Sequence, residues 1–282
     1  CRMRQRHSKA VVETLAGRTI FFVGDSILRH LYHSMCRQVG DKRAGAYNTT
    51  AEKHGNFSRR YGTLDLEFRW APYTNDTLAP ALQSLFEDET NLPDAIVLGG
   101  GAWDQLHRHR NEADRNILIE GIRQVAEQMR RLREAGVAVT WVVPTTINTW
   151  GLMTEEKRQW LREEDMVNLR TVYKDHGIQD AANFVLEGAS FTKDRVSDSY
   201  DGVHYPLEVY DAGAQILLNS FDWLLPPPNP EEVKPINSVP RPGSMAHAGY
   251  GLMILILIVV ATFSSDPFVG LSWLACCLTG TF

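Results

Sequence analysis

Up to about residue 225, the chain alternates between short apolar runs and longer stretches with helical spacing. The apolar, β-branched runs predict buried strands at residues 19–23, 94–98 and 137–143, with a weaker one at 178–185. Strict alternation at 64–70 predicts a half-buried strand near a sheet edge. Apolar residues every three or four positions predict helices at 26–38, 111–135, 154–175 and 208–224. This order predicts a parallel sheet covered by helices on both faces, a three-layer α/β/α domain.

The chain changes character after residue 225. Seven of the 13 prolines lie between Pro226 and Pro242, which predicts an extended linker. Residues 248–282 carry one charge, Asp266, and the uncharged stretch 248–265 is long enough to cross a bilayer. A buried core helix and a removable anchor signal are the alternatives. We therefore predict a catalytic domain at 1–225, a linker at 226–247 and a transmembrane region at 248–282 that continues beyond the chain.

Composition narrows the class of protein. Of 282 residues, 44% are hydrophobic and 22% charged, which is ordinary for a globular chain, and the net charge of −5 argues against a nucleic-acid partner. The four cysteines do not make a disulfide framework, although Cys1 and Cys36 could pair in an oxidising compartment. The histidines that could suggest a metal cluster lack carboxylate or cysteine partners at metal-ligand spacing, so we expect no metal; they are His107 and His109, and His30 and His33 on a predicted helix.

The stretch Gly24-Asp25-Ser26 marks a predicted strand-to-helix junction. Free backbone N–H groups and the positive end of the helix dipole meet at such a junction, and ligands bind at this edge of open α/β sheets. Ser26 could therefore be a nucleophile whose oxyanion the same groups stabilise. It could equally be a helix cap. Asp25 is more typical of a structural role, accepting backbone N–H bonds of the turn.

A second stretch, Asp201-Gly202-Val203-His204, carries the complementary chemistry. An aspartate and a histidine three residues apart can face the same way, so that the carboxylate orients an imidazole that activates a serine. Alone, His204 could be an ordinary surface histidine. The chain resembles the SGNH hydrolase superfamily, because Gly24-Asp25-Ser26 comes early and Asp201-x-x-His204 comes late in an alternating α/β sequence. The order serine, aspartate, histidine also occurs in other serine hydrolases.

Further motifs along the chain narrow the resemblance from the superfamily to one of its families. The motifs are Cys1-Arg2-Met3-Arg4-Gln5, Phe22 to Arg29, Lys53-His54, Phe68-Arg69-Trp70 and Asp201 to His204. Together they resemble the lumenal domain of the membrane-bound sialate O-acetyltransferases and fungal capsule-polysaccharide O-acetyltransferases, over about residues 1–225. The resemblance implies an acyltransferase with a Ser26, Asp201, His204 triad. It implies acetyl-CoA as the acetyl donor, with no cofactor permanently bound.

Oxyanion donors and a substrate contact are predicted with the help of this resemblance. The superfamily pattern supplies donors from a glycine and from an asparagine, but here Gly101-Ala102-Trp103-Asp104 has a tryptophan at the asparagine position. An indole N–H can donate in its place. Besides the Ser26 N–H, we therefore predict Gly55 and Trp103 as donors. Arg29, one turn beyond Ser26, could hold an acidic sugar or a donor phosphate, or could simply be packed.

Three N-x-Ser/Thr sequons begin at Asn48, Asn56 and Asn75 and favour a lumenal, glycosylated surface. We therefore expect a Golgi or secretory-pathway membrane enzyme that transfers acetyl groups to hydroxyls of a glycan, either sialic acid or a cell-wall or capsule polysaccharide. A carbohydrate acetylesterase with the same triad is one alternative. A non-catalytic glycan-binding module is the other.

Overall fold

The computed structural model describes residues 4–45, 53–87, 91–108 and 110–227, which lie in one compact unit. Their strands form one sheet with the order β2-β3-β1-β4-β5-β6. The strands are β1 (Thr19–Gly24), β2 (Phe57–Tyr61), β3 (Leu64–Trp70), β4 (Ala95–Gly99), β5 (Ala138–Val143) and β6 (Phe184–Glu187). Neighbouring strands are parallel except β2 and β3. The sheet predicted as parallel is thus mixed, with one antiparallel edge strand.

Helices connect the parallel strands and cover the sheet. The α-helices are α1 (Ser8–Thr14), α2 (Ser26–Gln38), α3 (Ala79–Gln83), α4 (Ala102–His107), α5 (Glu112–Glu134), α6 (Glu155–Trp160), α7 (Glu163–Asp175), α8 (Gly188–Thr192) and α9 (Leu207–Leu224). A π-helical turn at Thr74–Leu78 precedes α3, and 3₁₀ turns occupy Ser84–Glu87, Thr149–Gly151 and Lys193–Asp198.

Strand β1 separates two apolar cores. Its side chains point alternately to the two faces of the sheet, and both sets are buried, as a central parallel strand requires. Ile20 and Phe22 belong to the core that contains α2 and α9 residues. Phe21 and Val23 belong to the core that contains α5 and α7 residues. Helices therefore lie on both faces of the sheet, as predicted.

Strand β2 is not among the strands that the sequence analysis predicts. It pairs antiparallel with β3 across a tight turn at residues 62–63, where Gly62 has a φ of +67°. It is only half-buried, and the carboxylate of Asp41 pairs with the Arg59 guanidinium. An edge strand needs only one apolar face. The sequence of β2, Phe57-Ser58-Arg59-Arg60-Tyr61, therefore lacks the continuous apolar run by which the central strands were identified.

Two helical predictions also need correction. The helix predicted at 154–175 is two helices, because the chain leaves helical geometry at Leu161 and Arg162 and starts again at α7. There the Asp165 carboxylate accepts a hydrogen bond from the Arg162 backbone N–H, 3.1 Å away, and so caps α7. In α9, the apolar spacing from Val209 would direct Ala212 inward, but Ala212 is exposed, and the buried positions include Gly213 and Ala214 instead.

Several predictions fall outside the described residues. Among the residues that the structure describes, no helix is both long and apolar enough to cross a membrane. The predicted transmembrane region 248–282, most of the linker, Cys1 and the sequon at Asn48 all lie outside them. The three-part division of the chain therefore stays a prediction, as does the pairing of Cys1 with Cys36, which is itself buried on α2.

Candidate active site

Ser26 lies at the first position of α2, immediately after the end of β1. The turn between them needs glycine at position 24, because a Cβ there would lie 2.1 Å from the carbonyl oxygen of Gly99 on the adjacent strand. Asp25 caps the helix: its Oδ1 accepts a hydrogen bond from the Ile27 backbone N–H at 2.9 Å. The turn thus directs Ser26, which is partly exposed, to the carboxyl edge of the sheet.

The Asp25 carboxyl is buried next to this turn. Burial raises its pKa to about 6, against the opposing effect of the hydrogen bond from Ile27 and of the His204 imidazole. A carboxyl group with a raised pKa is protonated over a wider pH range, and its neutral form costs less free energy to bury in an apolar environment than its charged form. Asp25 therefore keeps its proton up to about pH 6, and in either protonation state its carboxyl oxygen can accept the hydrogen bond from the Ile27 N–H.

Asp201 and His204 are brought together by a local turn of the chain. Asp201 Oδ1 accepts hydrogen bonds from the backbone N–H groups of Val203, at 2.9 Å, and of His204, at 2.7 Å. Gly202 between them has a φ of +86°, which favours glycine. This geometry leaves Asp201 Oδ2 facing His204 Nδ1 at 2.8 Å.

Ser26 completes a continuous hydrogen-bonded chain. His204 Nε2 lies 2.7 Å from Ser26 Oγ, although the two residues are 178 positions apart in the sequence. Burial alone would raise the pKa of Asp201, but its hydrogen bonds with His204 and their electrostatic attraction outweigh it and hold that pKa well below its usual range. The carboxylate is therefore charged at neutral pH and orients an imidazole that contacts the serine hydroxyl.

The loop that carries Asp201 and His204 is anchored to its surroundings. The Asn148 backbone N–H donates to the Gly202 carbonyl at 2.9 Å, and the Ser199 hydroxyl donates to the His204 carbonyl at 2.9 Å. A Cβ on Gly202 would lie 2.7 Å from the Leu152 backbone nitrogen. One hydrogen bond from the loop after β5 and one within the loop itself thus fix the position of the imidazole.

Two aromatic rings pack directly on the imidazole, and the sequence analysis missed both. The Tyr200 ring is stacked on His204 with centroids 6.1 Å apart, and the His30 ring meets it edge-on at 5.3 Å. His30 is itself stacked on Tyr210 at 4.9 Å. Burial, and secondarily the nearby His204, lowers the pKa of His30 well below its ordinary value, so His30 is neutral at pH 7. The sequence feature that could have indicated His30 is helical spacing: His30 is four residues after Ser26 on α2, and residues four apart lie on the same face of a helix.

The remaining predicted site residues lie around this arrangement. Arg29 is buried; its guanidinium donates to the Lys53 carbonyl oxygen and lies 5.9 Å from the centroid of the Trp70 ring. Gly55 lies in the loop before β2, two residues after that carbonyl. Trp103 is the second residue of α4, just after β4. Arg29 is thus a packed residue in this structure, while the donor roles of Gly55 and Trp103 stay predictions.

Two of the predicted glycosylation sites can be placed. Asn56 is exposed, and its Oδ1 accepts a hydrogen bond from the Trp70 backbone N–H at 2.9 Å. Asn75 is partly buried and packs against helix α5 at Gly121, where an added Cβ would lie 2.8 Å from the Asn75 Cβ. Asn56 therefore presents the more accessible amide.

Comparisons with known proteins add relatives at low sequence identity. No family model matches the chain. The chain is 24% identical over 223 residues to the N-acetylneuraminate (7)9-O-acetyltransferase of Danio rerio, covering 78% of this chain and 28% of that protein. It is also 24% identical over 247 residues to the protein Altered Xyloglucan 9 of Arabidopsis thaliana, covering 78% of this chain and 65% of that protein. The chain thus spans about a quarter of one relative and two thirds of the other.

Solved structures resemble the described fold more distantly. A carbohydrate acetylesterase from Sinorhizobium meliloti has a TM-score of 0.46 and 16% identity, covering 74% of this chain and 100% of that one. A GDSL-like lipase from Bacteroides thetaiotaomicron has a TM-score of 0.47 and 11% identity, covering 74% and 90%. The protein is an α/β protein in which a serine, a histidine and an aspartate form one hydrogen-bonded chain.

Proposed function

We propose that this chain is a serine-dependent glycan O-acetyltransferase that works through an acetyl group held on Ser26. The observation that carries the proposal is the hydrogen-bonded chain from Asp201 through His204 to Ser26, with distances of 2.8 and 2.7 Å. A serine hydroxyl is a poor nucleophile at neutral pH, and a base within hydrogen-bond reach is what activates it.

The proposed reaction has two half-reactions. In the first, Ser26 Oγ attacks the carbonyl carbon of an acetyl thioester, its proton passes to His204 Nε2, and the carbon–sulfur bond breaks as the thiol leaves with that proton. In the second, a glycan hydroxyl loses its proton to His204 and attacks the acetyl carbon. The bond to Ser26 Oγ then breaks, and the serine recovers the proton. Asp201 stabilises the imidazolium in both half-reactions.

The oxyanion that forms in each half-reaction needs hydrogen-bond donors. The backbone N–H of Ser26 lies in the first turn of α2, where N–H groups lack helical partners and the helix dipole favours negative charge. We propose this N–H as the first donor, with the Gly55 N–H and the Trp103 indole N–H as candidates for the others. One such donor typically contributes 10²–10³ in rate, about 3–4 kcal/mol.

The choice of glycan acetylation draws on the relatives. One is named for acetyl transfer to N-acetylneuraminate and the other for altered xyloglucan, so the names agree on a carbohydrate and differ on which one. We propose acetyl-CoA as the donor, and we propose that the domain acts in the lumen of a secretory-pathway membrane.

A carbohydrate acetylesterase is the second candidate. The same hydrogen-bonded chain would activate Ser26, which would attack the acetyl ester of an O-acetylated sugar and release the sugar hydroxyl with the proton from His204. Water would then replace the glycan hydroxyl as the acceptor in the second half-reaction. The observation that favours it is the partial exposure of Ser26, which gives water a route to the acetyl group.

One experiment separates these candidates. The full chain is incubated with acetyl-CoA labelled in the acetyl group, with and without glycan, and separately with a glycan that carries labelled acetyl esters. The acetyl-enzyme and free acetate are followed in each case. A transferase moves acetyl from acetyl-CoA onto the glycan, and its acetyl-enzyme is discharged faster when glycan is present. An esterase releases acetate from the acetylated glycan at a rate that added acceptor does not change. The Ser26→Ala variant should form no acetyl-enzyme and should release no acetyl group to glycan or water. Turnover by Ser26→Ala at the parent rate, or glycan binding without any turnover by the parent, would contradict both candidates.

A further inference from the structure

Two tryptophans flank Ser26 at the carboxyl edge of the sheet. Strand β1, which leads to Ser26, lies between β3 and β4. Strand β3 ends at Trp70, which pairs in register with Gly24, and Trp103 follows four residues after the end of β4. Because parallel strands end at the same edge, both side chains reach the edge that carries Ser26, and their ring centroids are 5.6 Å apart.

These tryptophans belong to a ring cluster that is at least partly exposed, unlike the aromatic rings of the core. Its members are His54, Trp70, Tyr73, Trp103 and His107. The Trp103 ring is central, with centroid distances of 5.6 Å to His54, 5.9 Å to Tyr73 and 5.2 Å to His107. The Trp103 ring plane is nearly perpendicular to the planes of the His54, Trp70 and Tyr73 rings, with interplanar angles of 86–89°. The aromatic faces of the cluster therefore point in different directions and do not form one parallel stack.

Polar groups lie among these rings. The Tyr73 hydroxyl is 3.3 Å from His107 Nδ1, and the Arg108 guanidinium lies 4.9 Å from the Tyr73 ring centroid, paired with Asp76. Burial, together with neighbouring cations, lowers the pKa of His54, so this imidazole is neutral at pH 7. The cluster thus combines aromatic faces with neutral donors and acceptors. Small-molecule sites typically have this composition.

We propose that the ring cluster is the acceptor subsite and holds a pyranose ring of the glycan with one hydroxyl directed to Ser26. A pyranose has apolar C–H faces and a rim of hydroxyls, and it therefore matches aromatic walls with hydrogen-bonding groups between them. The inference rests on the proposed function for the position of the reacting hydroxyl. The alternative is that the rings only hold the loop at residues 53–56 against the sheet.

Binding is tested without turnover in the full chain carrying Ser26→Ala. Calorimetric titrations use a xyloglucan oligosaccharide and a sialylated trisaccharide as probes. We expect one of them to bind, with a Kd that rises at least tenfold when Trp70→Leu is added, because leucine keeps apolar volume but removes the ring. Trp223→Ala is the matched control: Trp223 is 62% exposed and lies at the far end of α9 from the site. It should leave the Kd unchanged. Binding of neither probe, or an unchanged Kd in the Trp70→Leu protein, would overturn the subsite.

A kinetic comparison separates this inference from the proposed function. In the active chain, Trp70→Leu should lower acetyl transfer to the glycan at least tenfold more than it lowers hydrolysis of 4-nitrophenyl acetate, mainly through the KM for glycan. Equal losses on both substrates would mean that the rings are structural and would contradict the subsite. A parent that binds the sugar but never acetylates Ser26 would contradict the proposed function and leave the subsite standing.

Discussion

The ring of His30 packs edge-on against the ring of His204, with centroids 5.3 Å apart, and His30 is buried and neutral at pH 7. It therefore limits the movement of His204 without placing a second positive charge beside an imidazolium. A phenylalanine at position 30 keeps the ring contacts with Tyr210 and His204, whereas alanine leaves a cavity beside the imidazole.

We therefore expect His30→Ala to lower the kcat for 4-nitrophenyl acetate at least tenfold and His30→Phe to lower it much less. Steady-state kinetics with thermal unfolding of each variant checks this. An equal kcat loss in both variants at similar Tm would mean that the imidazole nitrogens of His30 matter rather than its ring.

Asp25 provides a test of pH dependence. Its folded-state pKa of about 6 exceeds the ordinary value near 4, so the folded state binds the proton more tightly, and that stabilisation is lost as pH rises through about 6. Asp25→Asn keeps an oxygen acceptor for the Ile27 N–H and does not titrate. Relative to the parent, the Asp25→Asn variant should gain roughly 2 kcal/mol of unfolding free energy between about pH 4 and pH 7.

Denaturant unfolding of both proteins across this pH range measures the difference. Asp25→Ala is the control, because it also does not titrate but lacks the cap, and it should be about 1 kcal/mol less stable than Asp25→Asn at every pH. A difference between the parent and Asp25→Asn that does not change with pH would show that Asp25 has an ordinary pKa.

The three residues of the hydrogen-bonded chain should act as a unit. Ser26→Ala, His204→Ala and Asp201→Ala should each lower acetyl transfer steeply, and the triple variant should cost little more than the worst single change. Asp201→Asn should be milder than Ser26→Ala if Asp201 only orients the imidazole. The rates of acetyl transfer by the single and combined variants test this prediction. If the losses of the single variants added up in the triple variant, the three residues would not act in the same step.

Glycosylation tests the proposed lumenal location. The Asn56 amide is exposed, and a glycan on its nitrogen leaves Oδ1 to accept the Trp70 N–H, whereas Asn75 packs against Gly121. In a eukaryotic secretory pathway we expect a glycan at Asn56, removable by an endoglycosidase. Ser58→Ala removes this sequon while keeping Asn56, so it should lose the corresponding mass shift. A chain without glycans would contradict the lumenal proposal.

The sequence could predict those parts of the fold whose local pattern and tertiary environment agree. Helix α2 was predicted with its observed bounds because its apolar face and the preceding glycine indicate the same start, although the residue that caps it is Asp25 and not Ser26. Strand β2 was missed because its stability comes from pairing with β3 rather than from its own apolar residues. The break at Leu161 was missed because residues on both sides keep helical spacing.

The site could be predicted in part. Asp201 and His204 are three residues apart, so a local turn sufficed to pair them, and chain order suggested Ser26 as their partner. The ring cluster could not be predicted, because Trp70 and Trp103 meet only through the register of β3, β1 and β4. The contact between His30 and Tyr210 likewise depends on how α2 packs against α9.

The most direct test of the account is to locate the acetyl group on the protein. The full chain is mixed with acetyl-CoA labelled in the acetyl group, quenched in acid within milliseconds to seconds, digested and mapped by mass spectrometry. The account predicts label on the peptide that contains Ser26, lost in Ser26→Ala and discharged faster when glycan is added before the quench. Label on another residue, or acetyl transfer to glycan at the parent rate by Ser26→Ala, would contradict it.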